Sequence, residues 1–143
     1  MRNLRLRLPK TTQAAVERTR HLMDAGLPEA LVTVTVTSDH ALPDPDDQHV
    51  LDAALSAGAE VLLTFNLKDF PREALPSHLQ TVHPDDFLVA CLEQQQGCVL
   101  TALQELRADL KKPPFSASEL LAALERAELP AFALKLREHM GQL

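Results

Sequence analysis

Val61-Leu62-Leu63-Thr64-Phe65-Asn66-Leu67-Lys68-Asp69-Phe70-Pro71 runs from an unbroken apolar stretch straight into a polar turn. Residues 61–65 are apolar on both alternating faces, the pattern of a short strand covered on both sides in a parallel sheet. The stretches on either side extend that reading. Upstream, Val32-Thr33-Val34-Thr35-Val36-Thr37 alternates strictly with β-branched residues and predicts a second strand. Between the two, residues 44–57 place Val50, Leu51, Ala54 and Leu55 on one side of a helix that closes at Gly58. Downstream, Leu79-Gln80-Thr81-Val82-His83 predicts a further strand. Strand, helix, strand, loop, strand is the order of a doubly wound α/β sheet, whose sites lie at the C-terminal ends of its strands.

Beyond this core the pattern is helical. Thr11 is a plausible N-cap for a helix over 12–25 that stops at Gly26. From Pro84-Asp85-Asp86 a helix begins, residues 99–110 supply another, and Lys112-Pro113-Pro114 is a hard break. Ser116-Ala117-Ser118-Glu119 spells a capping box for a helix through Leu120, Leu121 and Leu124. Leu129-Pro130 separates it from a last helix bearing Phe132, Leu136 and Met140. The expected organisation is an α/β core over residues 1–88 and a helical extension over 89–143 packed on the same domain.

With 143 residues, 45% hydrophobic, the chain is large enough for one buried core and too small for two ordinary domains. No apolar run approaches the roughly 18 residues of a membrane span, and the start carries no signal-type segment, which makes the cytoplasm the expected compartment. Cys91 and Cys98 are the only cysteines, at a spacing that fits neither a zinc knuckle nor a redox pair, and read as reduced packing residues. The net charge of −6 conceals an asymmetry. Arg2, Arg5, Arg7, Lys10, Arg18 and Arg20 crowd the first twenty residues, whereas Asp39, Asp44, Asp46, Asp47, Asp52 and Glu60 fill residues 39–60 without a Lys or Arg. Such a division suits an enzyme that attracts a polyanion and holds a metal on carboxylates, or two solvated faces of opposite sign.

Two constellations could carry chemistry. Asp44-Pro45-Asp46-Asp47 opens a helix, and N-capping with dipole compensation accounts for acids there. Asp47, however, precedes Val50, Leu51 and Ala54 by three, four and seven residues and so shares the packing face, a costly place for a charge without a ligand. In the second constellation Thr64, Asn66 and Asp69 put a hydroxyl, an amide and a carboxylate at one strand exit, where turn chemistry is the alternative.

These motifs, with His83-Pro84-Asp85-Asp86-Phe87-Leu88 after them, make residues 44–88 resemble the C-terminal half of a PIN domain, nearest the branch of VapC-type toxins. That resemblance implies a Rossmann-like parallel sheet and a Mg²⁺- or Mn²⁺-dependent endoribonuclease of toxin type. It maps one acid onto Asp47 and another onto Asn66 or Asp69, with Asp44 as a further metal acid and Thr64 and Asp46 in support. RNA would be the substrate, with Arg2, Arg5, Arg7 and Lys10 on its backbone, and an antitoxin a partner. The family's usual first strand and two of its acids have no counterpart here. The expectation is accordingly a sheet lacking that strand, in a chain that either starts upstream or is truncated. Open sheet edges would then favour a homo-oligomer, and a catalytically impaired RNA-binding or protein-interaction module is the alternative to an enzyme.

Other signals are weaker. His21, His40, His49, His78, His83 and His139 include no helix-borne metal pair, and His49 is notable only for lying near Asp47. The last two helices have a faint helix-turn-helix look, but Lys135 and Arg137 beside Glu138 suit packing or antitoxin docking better than DNA reading.

Overall fold

The computed structural model describes residues 10–109 and 115–143. The chain divides into two compact units. One holds the described residues up to Asp39 together with His49–Gly58, and the other holds His40–Gln48 and Ala59–Leu143.

In the first unit, helix α1 spans Lys10–Gly26. It begins earlier than expected, so Thr11 lies within it rather than capping it. The helix is exposed on nearly every side apart from Val16 and Asp24, and an Arg20–Asp24 ion pair at 3.5 Å spans one turn. A 3₁₀ turn, Pro28–Ala30, follows. Residues 32–37, predicted as the clearest strand, form no ladder among the described residues and stay exposed at every position. Their backbone groups have other partners. The amides of Thr35 and Val36 both donate to Ser56 Oγ at 3.0 Å, and both the amide and the hydroxyl of Ser38 donate to Asp52 Oδ1, at 2.9 and 2.8 Å. Two consecutive amides turned to one hydroxyl are incompatible with the alternating donors of a strand, so side-chain bonds from helix α2 (Gln48–Ser56) replace the ladder. Gly58, at φ +63°, ends the turn after α2 in a conformation that suits glycine.

The second unit contains the only sheet among the described residues. Strand β1 (Val61–Leu63) pairs in parallel with β2 (Gln80–Val82), Leu63 opposite Val82. The two strands fall where the sequence placed them but are shorter, and β1 is not the doubly covered strand expected. Val61 and Leu62 are half-buried and Leu63 is 45% exposed, since among the described residues β1 has one neighbouring strand. The class is α/β, with helix predominating. No helix crosses from β1 to β2; two 3₁₀ turns, Leu67–Asp69 and Arg72–Ala74, do so instead. Arg72 fixes this crossover by donating to the carbonyls of Pro76, Ser77 and Leu79 at 3.1, 2.9 and 2.8 Å. Phe70, Leu75 and Leu79 are buried as its apolar anchors.

Helices α3 (Pro84–Gln94), α4 (Gln96–Asp109), α5 (Ala117–Arg126) and α6 (Pro130–Leu136) build the main core. Leu92, Leu100, Leu103, Leu120, Leu121, Phe132, Ala133 and Leu136 meet in it, with a 3₁₀ tail over Arg137–Gln142. The predicted end of α4 at Leu110 and the Lys112-Pro113-Pro114 break lie outside the described residues. The capping box forms as read: Ser116 Oγ accepts from the Glu119 amide at 3.2 Å, while Glu119 Oε2 accepts from the Ser116 amide at 2.8 Å. Helix α5 ends in a Schellman motif, with Leu129 N–H on Leu124 O and Glu128 N–H on Glu125 O. Glu128 takes the left-handed position, φ 62°, that glycine usually fills.

Helix α6 lacks a local cap. Its N-cap position is Leu129 and its first residue is Pro130, so the amides of Ala131 and Phe132 need an acceptor from elsewhere. Asp85, 6% exposed, supplies both: Oδ2 accepts from Ala131 N–H at 2.9 Å and Oδ1 from Phe132 N–H at 2.8 Å. An ionised carboxylate at a helix N-terminus is favoured by the dipole as well as by the two bonds. On the surface, the Lys135 ammonium bonds to Glu93, which holds its pKa above the ordinary value, and Arg137 pairs with Glu125.

Replacing Asp85 with Ala is expected to cost about 2–4 kcal/mol, because two enclosed amides lose an ionised acceptor. A urea midpoint equal to wild type would refute that tie. The Ser116 hydrogen bonds hold Glu119 below its ordinary value of 4.5. A carboxylate with a depressed folded-state pKa stabilises fully above its unfolded pKa and loses that contribution as pH falls through the folded one. Thermal unfolding between about pH 7 and about pH 3 should therefore show a loss in wild type that is smaller in Glu119→Gln; parallel curves would contradict it.

Candidate functional site

The C-terminal edge of the β1–β2 pair organises one of the two predicted constellations. The amide of Thr64 continues the ladder to Val82 O at 3.2 Å, and Thr64 Oγ1 accepts from Asn66 N–H at 3.1 Å. The Asn66 side-chain amide donates to Asp69 Oδ2, and the Asp69 amide returns a bond to Asn66 O at 3.2 Å. Hydroxyl, amide and carboxylate thus form one connected chain, set by a strand end, a 3₁₀ turn and the buried Phe70. Asn66 is exposed and Asp69 half-buried, so the carboxylate remains within reach of solvent.

The other constellation has a clear local role. Asp44 Oδ1 accepts from Asp46 N–H at 2.8 Å, Pro45 follows as the first residue of the Pro45–Asp47 turn, and Asp47 N–H bonds to Asp44 O. Asp44 is therefore an N-cap, Asp46 is exposed, and Asp47 is half-buried as its packing-face position implied. Among the described residues no three His, Cys, Asp or Glu side chains stand grouped as a metal site. The structure thus joins Asp69 to Asn66 and Thr64, and Asp44 to Asp46, without gathering Asp44, Asp47 and Asp69 into one metal-holding group. Arg2, Arg5 and Arg7 lie outside the described residues, and Lys10 is described only as the first residue of α1.

Sequence reasoning passed over a second pair at the same edge. Phe65 lies two residues after β1 and His83 directly after β2, and their rings meet edge to face, centroids 5.2 Å apart and planes at 86°. His83 is also the N-cap of α3, its Nδ1 accepting from Asp85 N–H at 3.2 Å. The parallel pairing of 61–65 with 79–83 was the signal that could have brought these rings together.

Residues 84–138, which run from the first residue of α3 to just beyond α6, match the family model described as the VapC50 C-terminal domain. The helical core is thus similar to that domain. "Putative ribonuclease VapC50" of Mycobacterium tuberculosis is 40% identical over 92 residues, which cover 64% of this chain and 54% of that protein. On these matches the chain is similar to VapC-type proteins over its helical core and part of the segment before it. It spans about half the length of the curated relative it matches. No solved structure matches.

Proposed function

We propose that the protein is a PIN-like endoribonuclease of toxin type, acting in the cytoplasm, with residues 1–88 as a partial PIN-like core and 89–143 as its helical extension. The observation that carries this reading is the connected Thr64, Asn66 and Asp69 group at the C-terminal end of a parallel strand, where α/β proteins place their sites. The relative's description as a ribonuclease supports it.

In this reading Asp69, held by the Asn66 amide, orients and deprotonates the water that attacks a phosphodiester, and Thr64 fixes Asn66 from behind. Asp47 is the second acid of the reaction, with Asp44 and Asp46 holding the turn that presents it. Mg²⁺ or Mn²⁺, which prefer oxygen donors, would supply charge relief at the phosphoryl oxygens. The described carboxylates do not fit a metal cage as they stand, since no three of them group. That specific observation favours a second reading, an impaired relative that binds RNA or a protein partner without cutting. Arg2, Arg5, Arg7 and Lys10 are the proposed backbone contacts to RNA, salt-sensitive in character. An antitoxin is the proposed protein partner.

An RNA cleavage assay with Mg²⁺ and with EDTA separates the two readings. Cleavage that requires the ion and falls roughly 100-fold or more in Asp47→Asn and in Asp69→Asn is expected. No cleavage would leave the binding module in its place, and undiminished cleavage in both variants would remove Asp47 and Asp69 from the site. The first unit exposes Leu22, Met23, Leu27 and Leu31 by 55–61%, and Val32, Val34 and Val36 by 40–51%. Apolar surface of that kind drives association. Light scattering at micromolar concentration should therefore report a dimer or larger species, and a monodisperse monomer would refute self-association.

A further inference from the structure

The chain has five phenylalanines and no Trp or Tyr. Phe70 and Phe132 are buried, Phe115 packs partly on the helical core, and Phe87 is 37% exposed. Phe65 is 52% exposed and lies in the bend two residues after β1. Its ring is held against His83, and the His83 ring is itself fixed through Nδ1 by the Asp85 amide. An exposed aromatic ring fixed through two successive contacts is preorganised for stacking: it has lost rotational freedom before any ligand arrives. It lies between Thr64 and Asn66 in the chain, and Asn66 holds the Asp69 carboxylate.

Lys68 and Asp69 are the charged residues nearest to Phe65 along its own loop, and the buried Asp85 carboxylate is committed to the Ala131 and Phe132 amides. What Phe65 itself offers a ligand is an uncharged aromatic face, which suits the face of a nucleobase. Base–aromatic stacking tolerates any base, so it suits a single-stranded RNA contact next to a cleavage site.

We propose that Phe65, positioned by His83, is a stacking platform for one nucleobase of single-stranded RNA adjoining the Thr64, Asn66 and Asp69 group. This rests on the RNA-directed reading above and names the part of the RNA that this edge contacts. Phe65 touches the base, and His83 acts through Phe65 as a positioning residue.

The absence of native Trp supplies the reporter. The full chain, kept in EDTA so that RNA stays intact, is titrated with a labelled single-stranded RNA oligonucleotide and with the same oligonucleotide made abasic. Phe65→Leu is expected to weaken RNA binding about 5- to 150-fold by fluorescence anisotropy, with little effect on the abasic strand. Phe65→Trp should bind as wild type, its emission quenched by the RNA and not by the abasic strand. His83→Asn, which keeps an N-capping side chain but removes the ring, should weaken binding while the melting temperature holds. If wild type binds RNA and the Leu variant binds it equally, or the Trp variant binds without quenching, the platform is overturned and the RNA reading stands. If wild type binds no RNA, the RNA reading fails and the platform falls with it.

Discussion

The carboxylate of Asp85 links the two ends of the larger unit. It stands one turn after β2, capped in by His83, and receives the first available amides of α6, 46 and 47 residues further along the chain. Helix α6 cannot supply this acceptor itself, because Leu129 occupies the N-cap position and Pro130 offers no N–H. One buried acid therefore decides where α6 enters the core, and with it where Phe132, Ala133 and Leu136 meet Leu92, Leu120 and Leu121. Its removal would expose the weakness of a four-helix core that has several local caps and one that is wholly non-local.

That distinction also explains which features could be read from the sequence. The Ser116 box, the Asp44 cap, the glycine at 58 and the helix opening at Pro84 are each contained within a few residues, and each forms where expected. Residues 32–37 have a strong strand pattern and no strand. Propensity describes what a segment prefers, but a ladder requires a neighbour at the right edge. Here the donors of Thr35, Val36 and Ser38 reach Ser56 and Asp52, fourteen to twenty-one residues away, and nothing in the alternation of Val and Thr announces that. Asp85 looked like an ordinary first-turn acid for the same reason, since its partners are as distant in sequence as they are close in space.

The site divides along similar lines. Thr64, Asn66 and Asp69 were legible because turn chemistry and strand exit lie within six residues of one another. Asp47 was legible as a position on a face, and its partial burial agrees, but which other acids share its surroundings depends on elements far apart in the chain. Phe65 and His83 each fell within a sequence motif, but nothing in either motif paired them; only the register of β1 on β2 makes them neighbours.

Two strands of three residues are too little sheet to hold a site rigid by themselves, since an isolated pair is marginal in water. Precision at Asn66 and Asp69 must come from the connection between the strands. There Arg72 collects three carbonyls just before β2, Thr81 Oγ1 donates to Phe70 O at 3.2 Å, and Phe70 itself is buried directly after Asp69. The crossover that in larger α/β sheets is a packed helix is here a loop tied by one guanidinium and one hydroxyl. The Asp69 carboxylate is consequently fixed from its C-terminal side by Phe70 and from its N-terminal side by Asn66. This arrangement lets a minimal sheet still present an oriented carboxylate at its edge.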